Sequence, residues 1–538
     1  MVSCNAINIL QQSQHTTTDS DKKVEPITPP ADSPAGNSSQ TVKIPSQPNQ
    51  VIINNTQTNT STSSQVIIKP DLDSKYAINP NILSFNTGYF FVSPLEQDAD
   101  VQKFTQNLRP VTLRFPGGTI GNYYHPDGPG YGLRQSDVKG GFPEITKAMP
   151  LFQDNAIYHF AQLCKMGNSN AVYVANLMTG TVEETIWAVQ YLLSQNIQIK
   201  GIELGNEFYL NQYRSVFPTV QSYIAKAKEF AIVLKKKFPN ISLGVVAANP
   251  TGAQPKDSFG KFQNQWNSAL GRETFYDFYI PHLYSNVQAC FKKGGSLKEI
   301  FNCANILLAV EHFDYFKIIL AHYEQFYGKK PMYITEWNVE AVNEFSNTIR
   351  QAEFVGESIL NLIATSAQNP ELSYSFFHNY GSGGYVSPLF TYTTDSKNKY
   401  LKKEGNVAYN AAYFPFSYLR DFLDLKLKGL NEQISYPNGL NNQSVVFKTF
   451  ISPDSKKLYL FFINKTQNNI AFSIPGAKNI LQIKGIRGDY PWSVAGKNGL
   501  HKTYPKDVNL IQYINENKAP NDYSVPANSV GYLVIALS

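Results

Sequence analysis

From about residue 80 onward, short apolar runs alternate with longer segments whose apolar residues recur at helical spacing. Runs that are apolar at nearly every position are typical of strands buried on both faces, and apolar residues at every third or fourth position indicate amphipathic helices. Eight runs are predicted as strands: Ile82–Phe91, Val111–Phe115, Ala171–Asn176, Gly201–Gly205, Ser242–Ala247, Asp277–Tyr284, Pro331–Glu336 and Leu372–His378. The predicted helices include Val182–Gln195, Val220–Phe238, Asn305–Tyr327 and Ile349–Gln368.

Eight alternations of strand and helix in this order predict an α/β fold, a (β/α)8 TIM barrel, over residues 73–420. An open, doubly wound sheet has the same alternation. It usually binds a dinucleotide through a glycine-rich fingerprint, which this sequence lacks.

The segments on either side of the predicted barrel differ from it in amino-acid composition and in the spacing of their apolar residues. Residues 1–72 are rich in Ser, Thr, Asn, Gln and Pro, a composition that buries too little apolar surface to fold, and they are predicted as a disordered tether. Residues 421–538 are predicted as a C-terminal antiparallel β-sandwich, to which the strand or linker before the barrel is a further candidate contributor. Its predicted strands are Ser444–Ile451, Leu458–Asn464, Asn469–Ile474, Ile480–Ile486 and Ser529–Leu537.

Two glutamates stand where predicted strands end: Glu207 after the fourth strand and Glu336 at the end of the seventh. Barrel enzymes place catalysis at the carboxyl ends of their strands, so both carboxylates are expected in one cleft. Cleavage of a glycosidic bond needs one protonated carboxyl for the leaving oxygen and one ionised carboxylate for the anomeric carbon. For either glutamate alone, capping of the following helix is the alternative, because carboxylates are favourable at helix starts.

The segments Glu203–Glu207 (ELGNE) and Tyr333–Asn338 (YITEWN) resemble clan A of the glycoside hydrolases. Within the clan, the chain most resembles the α-L-arabinofuranosidase and heparanase-type branches, which combine a barrel with a β-sandwich. The resemblance implies a retaining mechanism in which Glu207 is the acid/base and Glu336 the nucleophile. It also implies that Asn206 hydrogen-bonds the 2-hydroxyl of the sugar.

Supporting residues follow from the same resemblance. The segment Leu113–Thr119 (LRFPGGT) is similar to a segment of those branches whose arginine lies close to the nucleophile, which implies this position for Arg114; a plain structural ion pair is the alternative. His282 and Tyr284 alternate along the sixth strand and are expected to point the same way. A tyrosine at this position in the clan donates its hydroxyl to the nucleophile.

Further candidates for contacts to sugar hydroxyls are Asn176, which ends the third strand, and His378, which ends the eighth. Many clan members end the eighth strand with tryptophan instead. The loop that follows the second strand is long, a feature typical of functional loops. Aromatic residues expected near the cleft, as candidates for stacking on sugar faces, are Tyr123, Tyr124, Tyr131, Phe208, Tyr209 and Trp337.

Net charge, apolar segments and motif spacing limit the kinds of partner that the chain is expected to bind. The formal net charge is +6 over 538 residues, and no Lys/Arg block is long enough for a nucleic-acid footprint. No segment is apolar enough to span a membrane, and no metal-ligand spacing appears, so neither a metal nor another cofactor is expected. The expected partner is an oligo- or polysaccharide of plant or matrix type. No cluster of basic residues stands in the cleft loops, which argues against an acidic substrate.

Several properties stay open at this point. Cys290 and Cys303 flank a glycine-containing loop. They are expected to form either a disulfide that closes this loop or two independent thiols. A secreted, periplasmic or cell-surface location is expected from the tether, although no intact signal peptide is recognised. The oligomeric state, the sugar, endo or exo action, and hydrolysis or transglycosylation are undetermined. The alternative to an enzyme is an inactive barrel that binds carbohydrate or mediates adhesion, and a metal- or nucleotide-dependent barrel enzyme is a third alternative.

Overall fold

The computed structural model describes residues 65–537 except for seventeen internal gaps. These gaps are 89–94, 135, 138–153, 250–257, 286, 288–289, 291–294, 297–298, 301–302, 304–314, 340–346, 383–388, 392–393, 396–397, 403–407, 490–507 and 519–522. The described part of the chain contains two large sheets, a closed parallel barrel and a second, mixed sheet, and two small sheets of three and two strands.

The first strand, β1 (Val66–Ala77), belongs to the second sheet, and the barrel follows it. The strands in and beside the barrel are β2 (Ser84–Asn86), β3 (Thr112–Phe115), β4 (Asn170–Val174), β5 (Ile199–Glu203), β6 (Leu243–Val246), β7 (Phe278–Ile280), β8 (His282–Ser285), β9 (Met332–Val339) and β10 (Leu372–His378). Neighbouring barrel strands are parallel, and β10 pairs with both β9 and β2, which closes the barrel. After Pro281, β8 continues from β7 and pairs with β9.

The helices are α1 (Ala99–Leu108), α2 (Ala156–Gly167), α3 (Val182–Ser194), α4 (Val220–Lys237), α5 (Ser258–Leu270), α6 (Tyr315–Tyr327), α7 (Ile349–Gln368) and α8 (Tyr413–Asp424). Short 3₁₀ helices span Pro80–Ile82, Leu95–Gln97, Gly118–Asn122 and Asn211–Tyr213. Local sequence sets several helix starts. Helix α3, for example, begins with a capping box in which Thr181 and Glu184 satisfy each other's backbone N–H groups.

The predicted barrel is confirmed, and its closure excludes the open doubly wound sheet. All eight predicted strands are found, although the first is only Ser84–Asn86 among the described residues. Part of the predicted helix Asn305–Tyr327 is α6, and residues 304–314 lie outside the described part.

The barrel interior is filled rather than open. All eight residues of β9 are buried, as expected for a strand covered on both faces. The ring of Phe278 stacks on Tyr333 with centroids 3.9 Å apart. Two strands carry glycine beside that ring, since a Cβ at Gly201 or Gly244 would come within 2.8 or 2.1 Å of it. Small residues on two strands therefore admit one large ring from a third.

Five short strands follow the barrel: β11 (Gly381–Ser382), β12 (Phe390–Thr391), β13 (Thr394–Asp395), β14 (Asn398–Lys402) and β15 (Ala408–Tyr409). The second sheet then adds β16 (Lys428–Ser435), β17 (Val445–Ile451), β18 (Lys457–Asn464), β19 (Ile470–Ser473), β20 (Ala477–Gly488), β21 (Val508–Lys518), β22 (Ser524–Val525) and β23 (Ser529–Leu537). Its strand order is β21-β20-β23-β18-β17-β16-β1-β19-β22, and it curls around a core of its own.

Strand β1 supplies the main difference from the predicted antiparallel sandwich. It pairs antiparallel with β16 but parallel with β19, so the sheet is mixed. Its first half, residues 66–72, falls in the segment that the sequence assigns to the tether. Val66 and Ile68 both point inward and are fully buried. The residues around them are mostly polar, so this short strand was not recognised from the apolar pattern of the sequence. The domain boundaries themselves stay predictions.

Helix α7 joins the two sheets into one body. A Cβ at Gly356 would lie 3.1 Å from Val530 of β23, so the helix backbone approaches that strand closely. Arg350 donates a 3.1 Å hydrogen bond to the Lys465 carbonyl, and the Lys465 ammonium lies 2.8 Å from Glu357. The helix that follows the strand of Glu336 is therefore anchored on the second sheet.

A disulfide joins Cys290 and Cys303, and Cys164 is a buried free thiol. No helix among the described residues has the length and apolar character needed to cross a membrane.

Candidate active site

The barrel brings Glu207 and Glu336 together at the carboxyl ends of β5 and β9, where their carboxyl oxygens approach within 4.8 Å. The two groups differ in solvent contact. The Glu207 side chain is 17% exposed, and the Glu336 side chain is 5% exposed. One carboxyl therefore borders solvent, and the other lies at the bottom of the site.

Glu207 lies on a tight turn after β5. Gly205 has φ +94°, a conformation that residues with a side chain rarely adopt, and a Cβ there would lie 2.0 Å from the Phe208 ring. Glu207 itself has φ +50°, in the left-handed region. Non-glycine residues in this region store strain that the surrounding structure must offset, and such residues cluster at functional sites.

Glu336 accepts three hydrogen bonds. Asn86 Nδ2 and Arg114 Nη1 donate to Oε1 at 3.1 and 2.8 Å, and the Tyr284 hydroxyl donates to Oε2 at 2.5 Å. Burial raises the pKa of Glu336. The charges of nearby His282, His378 and Arg114 and the Tyr284 hydrogen bond outweigh burial and hold the pKa well below its usual range. Glu336 is therefore ionised at neutral pH.

Arg114 is fully buried between two carboxylates. Its Nε lies 3.0 Å from both oxygens of Glu203, and its Nη2 lies 2.7 Å from Glu203 Oε2. Burial alone would lower the pKa of Arg114, but the two carboxylates raise it. The residue therefore lies beside Glu336 and also forms a buried ion pair with Glu203, and its role in the reaction stays a prediction.

His282 connects the two glutamates. Its Nδ1 lies 2.9 Å from Glu207 Oε1 and 3.6 Å from Glu336 Oε2, and its Nε2 lies 3.1 Å from the Thr335 hydroxyl. Burial lowers the pKa of His282, but Glu336 and the hydrogen bond to Glu207 outweigh it, so the pKa is raised. A protonated imidazole here has a donor for Glu207 and a donor for the Thr335 hydroxyl.

His378 lies on the other side of Tyr284. Its Nδ1 is 2.6 Å from the Tyr284 hydroxyl and 3.6 Å from Glu336 Oε2. Burial lowers the pKa of His378, and the nearby charge of Glu336 opposes that effect only in part. Because the single proton of Tyr284 goes to Glu336, His378 donates from Nδ1 to the tyrosine oxygen. Asn338 Nδ2 hydrogen-bonds the His378 carbonyl at 2.5 Å and fixes this strand end.

The side-chain amide nitrogen of Asn206 donates to no acceptor among the described residues. Its Oδ1 accepts a 2.9 Å hydrogen bond from Arg114 Nη2, which fixes the orientation of the amide. Its Nδ2 is buried and has no hydrogen-bond acceptor among the described residues. A buried amide without an acceptor is costly unless a ligand supplies one, and a sugar hydroxyl does so.

Other predicted site residues are placed differently. The Asn176 amide already has partners: its Oδ1 accepts from the backbone N–H groups of Met178 and Thr179, and its Nδ2 donates to the Tyr124 carbonyl. Trp337 is 1% exposed and packs edge-to-face against Phe377. Their contacts with sugar stay predictions.

Tyr209 lies closer to the glutamates. Its hydroxyl donates to Asn249 at 2.9 Å and lies 3.5 Å from Glu207 Oε1. Burial, followed by the charge of Glu207, raises the pKa of Tyr209 well above its usual value. The remaining aromatic candidates for stacking are buried: Tyr123, Tyr124, Tyr131 and Phe208.

Four residues of the site were missed in the sequence. Glu203 had a visible signal, since it is a charged residue inside an apolar strand. The position of Asn86 at the end of a strand was not predicted, because the predicted first strand extended to Phe91. Thr335 and Asn122 carried no signal, because their roles depend on neighbours distant in the chain.

Two groups of described residues have the donor atoms and spacing to hold a metal ion. One is Glu207, His282 and Glu336 themselves. The other is His125, Asp127 and Glu184, where the Arg134 guanidinium lies 2.6 Å from Asp127 and 2.8 Å from Glu184. The arginine already supplies the positive charge in that second group.

No protein-family model and no curated protein matches the chain. Solved structures do match. A GH51 arabinofuranosidase from Xanthomonas axonopodis pv. citri aligns with TM-score 0.63 and 13% identity over 88% of this chain and 99% of its own. A family 51 α-L-arabinofuranosidase from Bifidobacterium longum aligns with TM-score 0.63 and 13% identity over 89% of this chain and 100% of its own.

A third match is a 4-O-α-L-rhamnosyl-β-D-glucuronidase from Fusarium oxysporum, with TM-score 0.50 and 15% identity over 88% of this chain and 99% of its own. Identities this low carry information about the fold alone. The chain therefore shares the clan A architecture of a closed barrel followed by a sheet domain with the GH51 arabinofuranosidases.

Proposed function

We propose that the chain is a retaining glycoside hydrolase that cleaves O-glycosidic bonds by double displacement. The observation that carries this proposal is the pairing of Glu207 with Glu336. One oxygen of each carboxyl group lies within 4.8 Å of the other, and the two groups are in unequal environments. Retaining enzymes hold the two carboxyl groups about 5–5.5 Å apart, whereas inverting enzymes need roughly 6.5–9.5 Å to admit a water molecule.

Glu336 is the nucleophile. It is buried and ionised, and Arg114, Asn86 and Tyr284 fix both of its oxygens. It attacks the anomeric carbon and forms a glycosyl ester as the bond to the leaving oxygen breaks. Tyr284 and Arg114 orient the carboxylate without neutralising it, since Glu203 shares the arginine charge.

Glu207 is the acid/base. In the first step it gives its proton to the leaving oxygen, and in the second it takes a proton from the water that attacks the glycosyl ester. Its partial exposure gives the leaving group and the water a path to it. Between the two steps, His282 holds Glu207 in a defined position, because the His282 Nδ1 donates a hydrogen bond to the Glu207 carboxylate.

The substrate is proposed to be an oligo- or polysaccharide of plant or matrix type. Asn206 Nδ2 is positioned for the sugar 2-hydroxyl, an interaction that strengthens in the transition state. The aligned structures are named as arabinofuranosidases and as a glucuronidase, so the identity of the sugar has to be measured. Function outside the cell, or on its surface, is part of the same proposal.

The test is hydrolysis of aryl arabinofuranoside, xyloside, glucoside, glucuronide and galactoside by wild type and by Glu336→Ala, with azide added to the variant. We expect one glycoside to be cleaved by wild type. Glu336→Ala should be inactive until azide restores turnover as the inverted glycosyl azide. A Glu336→Ala variant with wild-type activity would overturn the assignment.

An inactive barrel that binds carbohydrate is the other candidate. Both carboxylates and all their hydrogen-bond partners are in place, which disfavours it. It becomes the better account if wild type binds polysaccharides in a pull-down but cleaves neither them nor any aryl glycoside.

A further inference from the structure

Asn122 holds the backbone beside the acid/base from both sides. It is fully buried at the end of the 3₁₀ helix Gly118–Asn122, which follows β3. Its Nδ2 donates to the Asn206 carbonyl at 2.9 Å, and its Oδ1 accepts from the Asn206 N–H at 3.1 Å. One amide therefore satisfies both backbone groups of a residue 84 positions away.

The residue held in this way lies next to a costly conformation. Asn206 precedes Glu207, which has φ +50°, and follows Gly205, which has φ +94°. The residues on both sides of Asn206 thus lie outside ordinary strand geometry. Such a turn persists only where its surroundings specify it, because a non-glycine residue in the left-handed region is strained.

We propose that Asn122 is a positioning residue for the acid/base, an inference that rests on the proposed function. Asn122 holds the Asn206 peptide, and this peptide sets where the Glu207 carboxyl and the Asn206 amide reach into the site. The Asn122 side chain bonds the backbone of Asn206 on both sides, so it acts through Asn206.

The nucleophile has a separate support. Glu336 is held by Asn86, Arg114 and Tyr284, from β2, β3 and β8, without Asn122. Loss of Asn122 should therefore misplace proton donation more than nucleophilic attack. This imbalance distinguishes a positioning role from general damage to the fold.

The experiment compares two glycosides of the sugar that wild type cleaves: a 2,4-dinitrophenyl glycoside, whose leaving group needs little protonation, and a phenyl glycoside, whose leaving group needs it. The readout is kcat/KM, which reports the first step. For Asn122→Ala we expect a loss of roughly 10²-fold on the phenyl glycoside, the scale of a misplaced proton donor, and a loss smaller by about tenfold or more on the dinitrophenyl glycoside.

Asn155→Ala is the matched control. Asn155 is a buried asparagine whose Nδ2 donates to the carbonyls of His125, Pro126 and Gly128 in the same loop system, away from Asn206. Its loss should change kcat/KM equally on the two substrates. Equal losses for Asn122→Ala, or none, would overturn the proposal.

Two further measurements keep the outcomes distinct. If Asn122→Ala does not fold, Asn122→Asp, which keeps the acceptor and loses the donor, gives the same comparison between leaving groups. If wild type cleaves neither glycosides nor polysaccharides, the proposed function has failed, and that result is separate from failure of the role of Asn122.

Discussion

Arg114 and Glu203 form a buried ion pair in which both side chains are fully shielded from solvent. The guanidinium turns Nε and Nη2 toward Glu203 and leaves Nη1 for Glu336, 2.8 Å away. One positive charge is thus shared by two carboxylates, and the group of three keeps a net negative charge. Such a charge stabilises the oxocarbenium-like transition state of glycoside cleavage.

Glu203→Gln is expected to lower both stability and activity. Removal of one partner of a buried pair costs about 3–5 kcal/mol, and the remaining bond of Arg114 to Glu336 offsets part of that loss. The double variant Arg114→Met/Glu203→Gln leaves the buried Glu336 without its arginine, so it should be inactive and less stable than Glu203→Gln alone. Urea unfolding of the two variants and wild type measures this, and a double variant more stable than Glu203→Gln would contradict the account.

Tyr284→Phe is expected to lower kcat/KM by about 10- to 100-fold, because a hydrogen bond to a charged group contributes about 1.5–3 kcal/mol. Loss of that bond also raises the pKa of Glu336, so any movement of the acid limb of the pH–rate profile is toward higher pH. Tyr276→Phe is the control, since its hydroxyl donates to the Leu270 carbonyl, away from both glutamates. Equal effects of the two changes would show that the Tyr284 contact has no specific role.

The sequence predicted the barrel because its strands are buried on both faces and read as apolar runs, as β9 illustrates. It predicted Glu207 and Glu336 because each glutamate interrupts such a run at its end. It missed the start of β1, where two inward residues are surrounded by polar ones. The role of Asn122 could not be predicted from the sequence, because its contact with Asn206 depends on how two loops pack.

Glu353→Gln is expected to remove a pH dependence of stability. Burial raises the pKa of Glu353 from 4.5 to about 7, although the Arg350 guanidinium lies 2.6 Å away. Between those pH values the folded state binds more protons than the unfolded state, so stability falls as pH rises. The total loss is on the order of 3 kcal/mol.

Urea unfolding between pH 4.5 and pH 8 tests this expectation. Glu353→Gln should gain stability relative to wild type as the pH rises, whereas the control Ile232→Ala, at an exposed residue without a titratable group, should keep a constant difference from wild type. A difference between Glu353→Gln and wild type that does not vary with pH would show that Glu353 does not titrate in this range.

The Cys290–Cys303 disulfide closes a loop with a sequence separation of 13 residues. Closure of a loop of this size is expected to contribute about 3 kcal/mol, so Cys290→Ala/Cys303→Ala should be less stable by about that amount. Alkylation in denaturant followed by mass measurement tests the bond first. Two cysteines, Cys4 and Cys164, should react without reductant and four with it, whereas four without reductant would show free thiols.

The pairing of Glu207 with Glu336 is tested most directly by the stereochemistry of the first product. Proton NMR of the reaction mixture, recorded before the sugar mutarotates, identifies the anomer released by wild type from the aryl glycoside it cleaves. A double displacement between these two carboxylates predicts release of the same anomeric configuration as in the substrate. Release of the opposite anomer would require a water molecule between the carboxyl groups and would contradict the account.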